Sequence, residues 1–274
     1  MKILNGKELA EYIEEKQAKQ VRQLRQAHNV QPKLAIVVTV DNPVIDVYMK
    51  LKQKYGEDIL IDVDVHRVQQ SEAKDLLNKL SKDDSVHGII VQLPLEDPTE
   101  TDEIVNLVAP TKDVDGLGKK PDYEPATPLA IMWLLSAYNI ELKGKNILLV
   151  GQGKLVGSPL KKLLEDSGIT PEIANRKTED LKAKTLEADI LITATGIPGL
   201  IKADMIKQNA VVIDAGVASE GAKTAGDVDP TVLEERIDLT ITPIKGGVGP
   251  LTVCALFENV IRSAMATVKK EEKS

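Results

Sequence analysis

Short β-branched runs alternate with helix-length segments twice along this chain, and one loop-forming stretch interrupts them. KLAIVVTV (33–40) is a continuous apolar run of the kind a strand buried on both faces presents. A helical segment follows from about Val44 to Tyr55, then the alternating run IDVDVHRV (61–68). After these come the helix SEAKDLLNKLSKD, the strand HGIIVQLPL stopped by Pro94, and the helix ETDEIVNLVAP ended by Pro110. Ahead of them, Asn5 and Glu8 have the spacing of a capping box and predict a first helix to about Gln26. TKDVDGLGKKPDYEPATP (111–128) is rich in Gly, Pro and charge and predicts a loop or linker. The apolar helix LAIMWLLSAYNI follows, and the alternation restarts with NILLVG, SPLKKLLEDSG, PEIA, TEDLKAKTLE, ADILITATG, AVVIDAG and DLTITP. A closing helix is predicted from Pro250 to about Val268.

Segments in this order bury their apolar faces as sheets covered by helices. The expected fold class is therefore α/β, with two α/β domains, the second a Rossmann-like dinucleotide-binding domain, and a cleft between them. The expected boundaries are 1–126 plus 252–274 for the first domain and 127–251 for the second, the last helix packing back on the first.

Several function classes are excluded by composition. Among 274 residues the formal net charge is −7, which argues against a nucleic-acid partner, since such proteins carry a basic face. Aromatic residues make up only 3%, so the core must be built from Ile, Leu, Val and Ala. No window is expected to span a bilayer, and the opening MKILNGKELAEYIEEK turns charged too early for a secretory signal, so no membrane partner is expected. The single cysteine, Cys254, rules out an internal disulfide and reads as a small buried hydrophobe. These features together predict a cytoplasmic setting. His28, His66 and His87 are scattered without ligand spacing, so no metal is expected. The charged tail KKEEKS is expected to fray.

ILLVGQGKLVGSP (147–159) reads as a strand, a glycine-rich turn and a helix start. Such a turn lets backbone N–H groups and a helix N-terminus face a pyrophosphate. Gly151 can make the tight turn, Gly153 leaves the ligand's path clear, and Gly157 allows close helix packing. Gln152 and Val156 lie in the same turn. The spacing is G-x-G-x-x-x-G rather than G-x-G-x-x-G, so glycines merely serving a strand-to-helix turn remain an equal reading. Where NAD-binding domains carry a carboxylate for the ribose 2′-OH, this chain has Asn175, Arg176 and Lys177. Arg176 could pair with a 2′-phosphate, which favours NADP and leaves NAD possible; a solvated loop is the alternative. TATGIPGL (193–200) and DAG (214–216) fall at strand ends and offer Thr195, Gly196 and Gly216 to a nicotinamide ribose. TPIKGGVGPLTV (242–253) suggests a glycine loop, with Gly247, before a helix opened by Pro250.

The same strand-end rule applied to the first domain collects Tyr48 and Lys52 after the first strand, Gln92-Leu93-Pro94 after another, and the KDVDG loop with Asp115. Lys50, Lys52 and Lys54 alone would pass for an ordinary wet helix surface.

Taken in order, VYMKLK, IIVQLPL, KDVDG, the Thr127-Pro128 pair, VGxGxxVGxP, ADILITATGIPGLI, VVIDAG, GDVDP and TPIKGGVGPLT resemble the bifunctional methylenetetrahydrofolate dehydrogenase/cyclohydrolase family, from about Gly6 to Asn259. The resemblance implies a homodimer that oxidises 5,10-methylenetetrahydrofolate with NADP and hydrolyses the methenyl product to 10-formyltetrahydrofolate, with the pterin in the interdomain cleft. It implies Lys52 as the main catalytic group, Tyr48 beside the folate, Gln92 in contact with the lysine, and Asp115 on the pterin ring. Leu93, Gly247 and Pro250 are implied as further substrate contacts. Against the family pattern, Ile45 stands for Ser, Ala126 for Cys, Gln152 for Arg, Ala218 for Asn and Lys245 for Pro, and the loop at 117–124 is shorter. Ile45 and Ala126 are expected to remove polar groups near the folate. Two alternatives are a folate- or nucleotide-binding relative without catalysis, and a dehydrogenase for another small substrate.

Overall fold

A computed structural model of the protein describes residues 1–216, 218–220 and 223–271. The chain divides into two units, one of residues Glu11–Ala126 with Val253–Ser274, the other of Met1–Ala10 with Thr127–Thr252. Of the tail expected to fray, residues 272–274 lie outside the described ones.

In the first unit, Lys33–Val38 is the central strand of a three-stranded parallel sheet, flanked by Asp62–Arg67 and Gly88–Val91. Its apolar run is buried on both faces, with Leu34, Ala35, Ile36 and Val37 wholly enclosed. One face packs Ala35, Val37, Ile89 and Val91 against Ala73, Leu77 and Ile104. The helix Pro43–Ile59 starts where Asn42 accepts the Val44 N–H at 2.8 Å and Pro43 supplies a preset φ, and it stops at Leu60 in the left-handed region, φ 66°. The helix predicted over 100–110 is shorter than its sequence suggests. Thr101–Val105 ends where the Leu107 and Val108 N–H groups reach back three residues rather than four, to Ile104 and Val105.

The last helix, Val248–Glu271, contributes its residues from Val253 onward to this unit. Contrary to expectation, residues 248–269 are long and apolar enough to cross a membrane, with a mean hydropathy of 1.3. Here 61% of that window is buried in the protein, and Cys254, Phe257, Val260 and Ile261 are fully enclosed, as befits a core helix.

The second unit is built on a six-stranded parallel sheet, ordered Lys2–Ile3, Thr240–Ile241, Val211–Asp214, Ile190–Thr193, Ile147–Val150, Glu172–Ala174. From Ile147–Val150 the chain first builds outward to Glu172–Ala174, then returns to the other side at Ile190–Thr193. This reversal makes the end of Ile147–Val150 the topological switch point, where open α/β sheets bind ligands. Sequence reading assigns residues 1–10 to the other domain, but Lys2 and Ile3 pair with Thr240 and Ile241 at this sheet's edge. A two-residue strand has no periodicity to betray it.

Candidate active site

The helix Pro43–Ile59 buries Ile45, Met49, Gly56 and Ile59. Lys52 falls at the missing place in that stripe, spaced 4-3-4-3 with them, so its stem enters a row otherwise apolar. Lys50 and Lys54 point to water, and Lys54 pairs with Asp58. The Lys52 Nζ donates to Gln92 Oε1 at 2.9 Å, while Gln92 Nε2 donates to the Leu93 carbonyl at 2.9 Å. The second bond orients the amide with its oxygen toward the amine. Tyr48 lies at the edge of the stripe and is 39% exposed.

Asp115 comes from the loop after Lys112. The buried Asp113 carboxylate accepts N–H bonds from Gly116, Leu117 and Gly118 at 3.0, 3.3 and 2.8 Å. Gly116 sits at φ 68°, a conformation glycine adopts without strain. The far side of the loop is tied by buried Asn259, whose amide donates to the carbonyls of Val114 and Glu124, both at 2.9 Å. Burial holds the Lys52 ammonium below the usual lysine range, opposed by the attraction of Asp115. Burial pushes the Asp115 carboxyl up, opposed by Lys52 and reinforced by Asp113. A water-poor amine near a carboxyl, held by a neutral amide, gives up its proton more readily than a solvated lysine.

Asp113 and Asn259 were not among the expected site residues. The signal for Asp113 was present, an aspartate followed by glycines three and five residues on. Ile45 and Ala126 are both buried, Ile45 in the same stripe as Met49. The Ala218 side chain lies outside the described residues.

In the second unit, the turn after Ile147–Val150 has the geometry of a cradle. Gly151 has φ 102°, and a Cβ on it would lie 2.5 Å from the Ala194 carbonyl oxygen. A Cβ on Gly157 would lie 2.2 Å from the Gly151 oxygen. Both glycines are thus required by protein packing. Gly153 differs, for no atom would come within 4 Å of its Cβ. Packing does not require glycine there, and the space beside it suits a bound dinucleotide. Gln152 is exposed, and Val156 immediately precedes the helix Gly157–Asp166.

Arg176 lies just past Glu172–Ala174, where the Ala174 carbonyl accepts the Gly151 N–H at 2.9 Å. An Asx turn shapes its loop, Asn175 Oδ1 accepting the Lys177 N–H at 2.9 Å. Arg176 is exposed and forms no ion pair among the described residues. Thr195, Gly196 and Gly216 are gathered at the neighbouring strand ends.

Gly247 is not part of a free loop. A Cβ on Gly6 would lie 1.9 Å from the Gly247 oxygen, and the Gly246 carbonyl accepts the Lys7 N–H at 2.9 Å. Pro250 is the third residue of its helix rather than the first, still within the turn whose N–H groups have no intrahelical partner.

Comparison with known proteins matches residues 4–115 to the tetrahydrofolate dehydrogenase/cyclohydrolase catalytic domain, and residues 125–268 to that family's NAD(P)-binding domain. The chain belongs to the tetrahydrofolate dehydrogenase/cyclohydrolase family. It is 38% identical over 279 residues to the bifunctional protein FolD of Campylobacter jejuni, covering 96% of this chain and 98% of that one. The crystal structure of the Campylobacter jejuni bifunctional enzyme superposes with a TM-score of 0.91 at 36% identity, covering 97% of this chain and 99% of the other. The Trypanosoma brucei dehydrogenase-cyclohydrolase, solved with NADP cofactor and an inhibitor, gives 0.90 at 27% identity, over 97% of this chain and 98% of that one. The two sets of expected site residues fall one in each unit: Tyr48, Lys52, Gln92, Leu93 and Asp115 in the first, the glycine turn, Arg176, Thr195, Gly196, Gly216, Gly247 and Pro250 in the second.

Proposed function

We propose that this member of the family oxidises 5,10-methylenetetrahydrofolate and hydrolyses the resulting methenyl compound to 10-formyltetrahydrofolate in one-carbon metabolism, with Lys52 as the central group. The observation that carries this reading is the amine of Lys52, drawn into an apolar helix stripe, 2.9 Å from Gln92 Oε1 and in the field of Asp115.

NADP held by the glycine turn supplies the hydride acceptor. Its expected contacts run from Gly151, Gln152, Gly153, Val156 and Gly157 to Thr195, Gly196, Gly216 and Gly247. Arg176, exposed and without an ion pair among the described residues, favours the 2′-phosphate and hence NADP over NAD. Hydride loss leaves an amidinium-like cation on the folate. A neighbouring cation and poor hydration both favour neutral Lys52. The neutral amine takes a proton from water as its oxygen adds to the methenyl carbon. The proton is then returned to the ring nitrogen that leaves as its bond to that carbon breaks, while the added oxygen releases its remaining proton to solvent and becomes the formyl carbonyl. Gln92 fixes the amine without adding charge. Asp115 offers two oxygens to the pterin's amino and ring N–H groups. Tyr48, at the stripe's edge, has its ring available to the folate, and Leu93, Gly247 and Pro250 are further substrate contacts. The working form is a homodimer, to be measured by sedimentation. The setting is the cytoplasm, in keeping with the single buried thiol.

The test is to mix the protein with 5,10-methylenetetrahydrofolate and either NADP or NAD, and to follow reduced nicotinamide and methenyl product separately. Reduction without methenyl accumulation is the expected result. Accumulation would show a dehydrogenase lacking its hydrolase partner. A folded protein inactive with both cofactors would overturn the reading.

A further inference from the structure

Two aspartates outside the expected site residues close on each other's glycines. A Cβ on Gly216 would lie 2.1 Å from the Asp227 carboxyl carbon, and a Cβ on Gly226 would lie 2.1 Å from Asp214 Oδ2. Each carboxylate thus occupies room that the other segment's glycine leaves open. The N–H groups of Thr195 and Ile197 donate to Asp227 at 2.7 and 3.0 Å. Those of Gly216, Asp227 and Val228 donate to Asp214 at 3.0, 3.1 and 2.9 Å. Asp227 is wholly buried. Three separate backbone segments, 195–197, 214–216 and 226–228, are thereby locked together by acceptors alone.

We propose that Asp227, clasped with Asp214, is a positioning residue for the cofactor, fixing the backbone of Thr195, Gly196 and Gly216 on which its nicotinamide end rests. The proposal builds on the reading above that those three residues contact the cofactor. A carboxylate is the side chain this task requires. It presents only acceptors, whereas an amide of the same shape turns an NH2 toward one of two inward-pointing N–H groups. Loss of one such buried bond lets the tip shift, and displacements of about 1 Å at a reacting centre cost on the order of 100-fold in rate.

The test compares Asp227→Asn and Gly226→Ala with the parent in two assays. The first is methylenetetrahydrofolate oxidation with NADP varied. The second is hydrolysis of added methenyltetrahydrofolate, which consumes no nicotinamide. Gly226→Ala leaves both carboxylates in the chain but pushes Asp214 from its place, and it serves should Asp227→Asn fail to fold. The expected result is a rise in KM for NADP or a fall in dehydrogenase kcat of about 10-fold or more in each folded variant, with hydrolysis within a factor of two of the parent, because Lys52, Gln92 and Asp115 belong to the other unit. Unchanged oxidation in a folded variant would overturn the proposal. So would a parallel fall of both activities, which would make the clasp a general support. A parent protein that neither oxidises the folate nor hydrolyses the methenyl compound would instead remove the functional reading beneath the proposal.

Discussion

Replacing Lys52 by methionine separates chemistry from folding because the thioether suits the row formed by Ile45, Met49, Gly56 and Ile59. The substitution removes one amine-to-amide hydrogen bond, 2.9 Å long. Such bonds contribute about 1.5–3 kcal/mol when one partner is charged. Against this, the ammonium no longer has to be held short of water, and an apolar chain of similar length fills the stripe. The two effects oppose each other, as when buried charged groups are replaced by well-packed apolar ones. The net change should stay within about 1 kcal/mol, or roughly 2–4 °C in Tm for a protein of this size. The loss in catalysis should be far larger. A positioned general base accounts for about 10²–10⁴ in rate, equivalent to about 2.7–5.5 kcal/mol. Methenyl hydrolysis, followed by the decay of methenyl absorbance beside a thermal melt, should therefore fall by at least about 100-fold while Tm barely moves. Hydrolysis within threefold of the parent would falsify the role given to Lys52. A Tm loss well beyond that range would show that the amine's bond to Gln92 holds the fold.

Three further outcomes are expected. Since burial lowers the Lys52 pKa from 10.5, hydrolysis should rise with pH and level off below that value; in the same window the unfolded chain holds the extra proton, so the parent's stability should gain with rising pH relative to Lys52→Met, and urea melts of both proteins with the same slope would count against it. Asp113→Asn turns an NH2 toward either the Gly118 N–H or the Gly116 and Leu117 N–H groups and should cost about 1–3 kcal/mol of stability with a raised KM for the folate; an unaltered KM would detach the loop from substrate binding. Arg176→Gln should raise KM for NADP about 10-fold or more and spare that for NAD; equal changes with the two cofactors would take the 2′-phosphate away from Arg176.

Much of the fold could be read because its central strands, though short, are strongly patterned and alternate with helix-length segments. Lys33–Val38 stood out as a continuous apolar run, and the glycine turn after Ile147–Val150 followed a recognisable strand. Lys52 was harder, for its charged neighbours mimic a wet face. The residues at −7, −3, +4 and +7 from it would have shown a lysine standing in an apolar row. Spacing along the chain could not reveal Asp214 against Asp227, because their meeting depends on the antiparallel pairing of Ala218–Glu220 with Lys223–Ala225. Gly247 misled in the opposite direction. A glycine-rich run looks mobile, but here its backbone lies against Gly6, a contact that no local pattern encodes.

The edge strand Lys2–Ile3 also imposes an order on biosynthesis. Lys2 and Ile3 have their partners at Thr240 and Ile241, so they stay unpaired until that far-downstream segment has emerged from the ribosome. The other unit waits as well, since Phe257, Val260 and Ile261 of its core come from the final helix. Contacts so distant along the chain close slowly, and apolar surface stays uncovered while they form. Dependence on folding assistance during translation should therefore be greatest in the interval before the last helix is released.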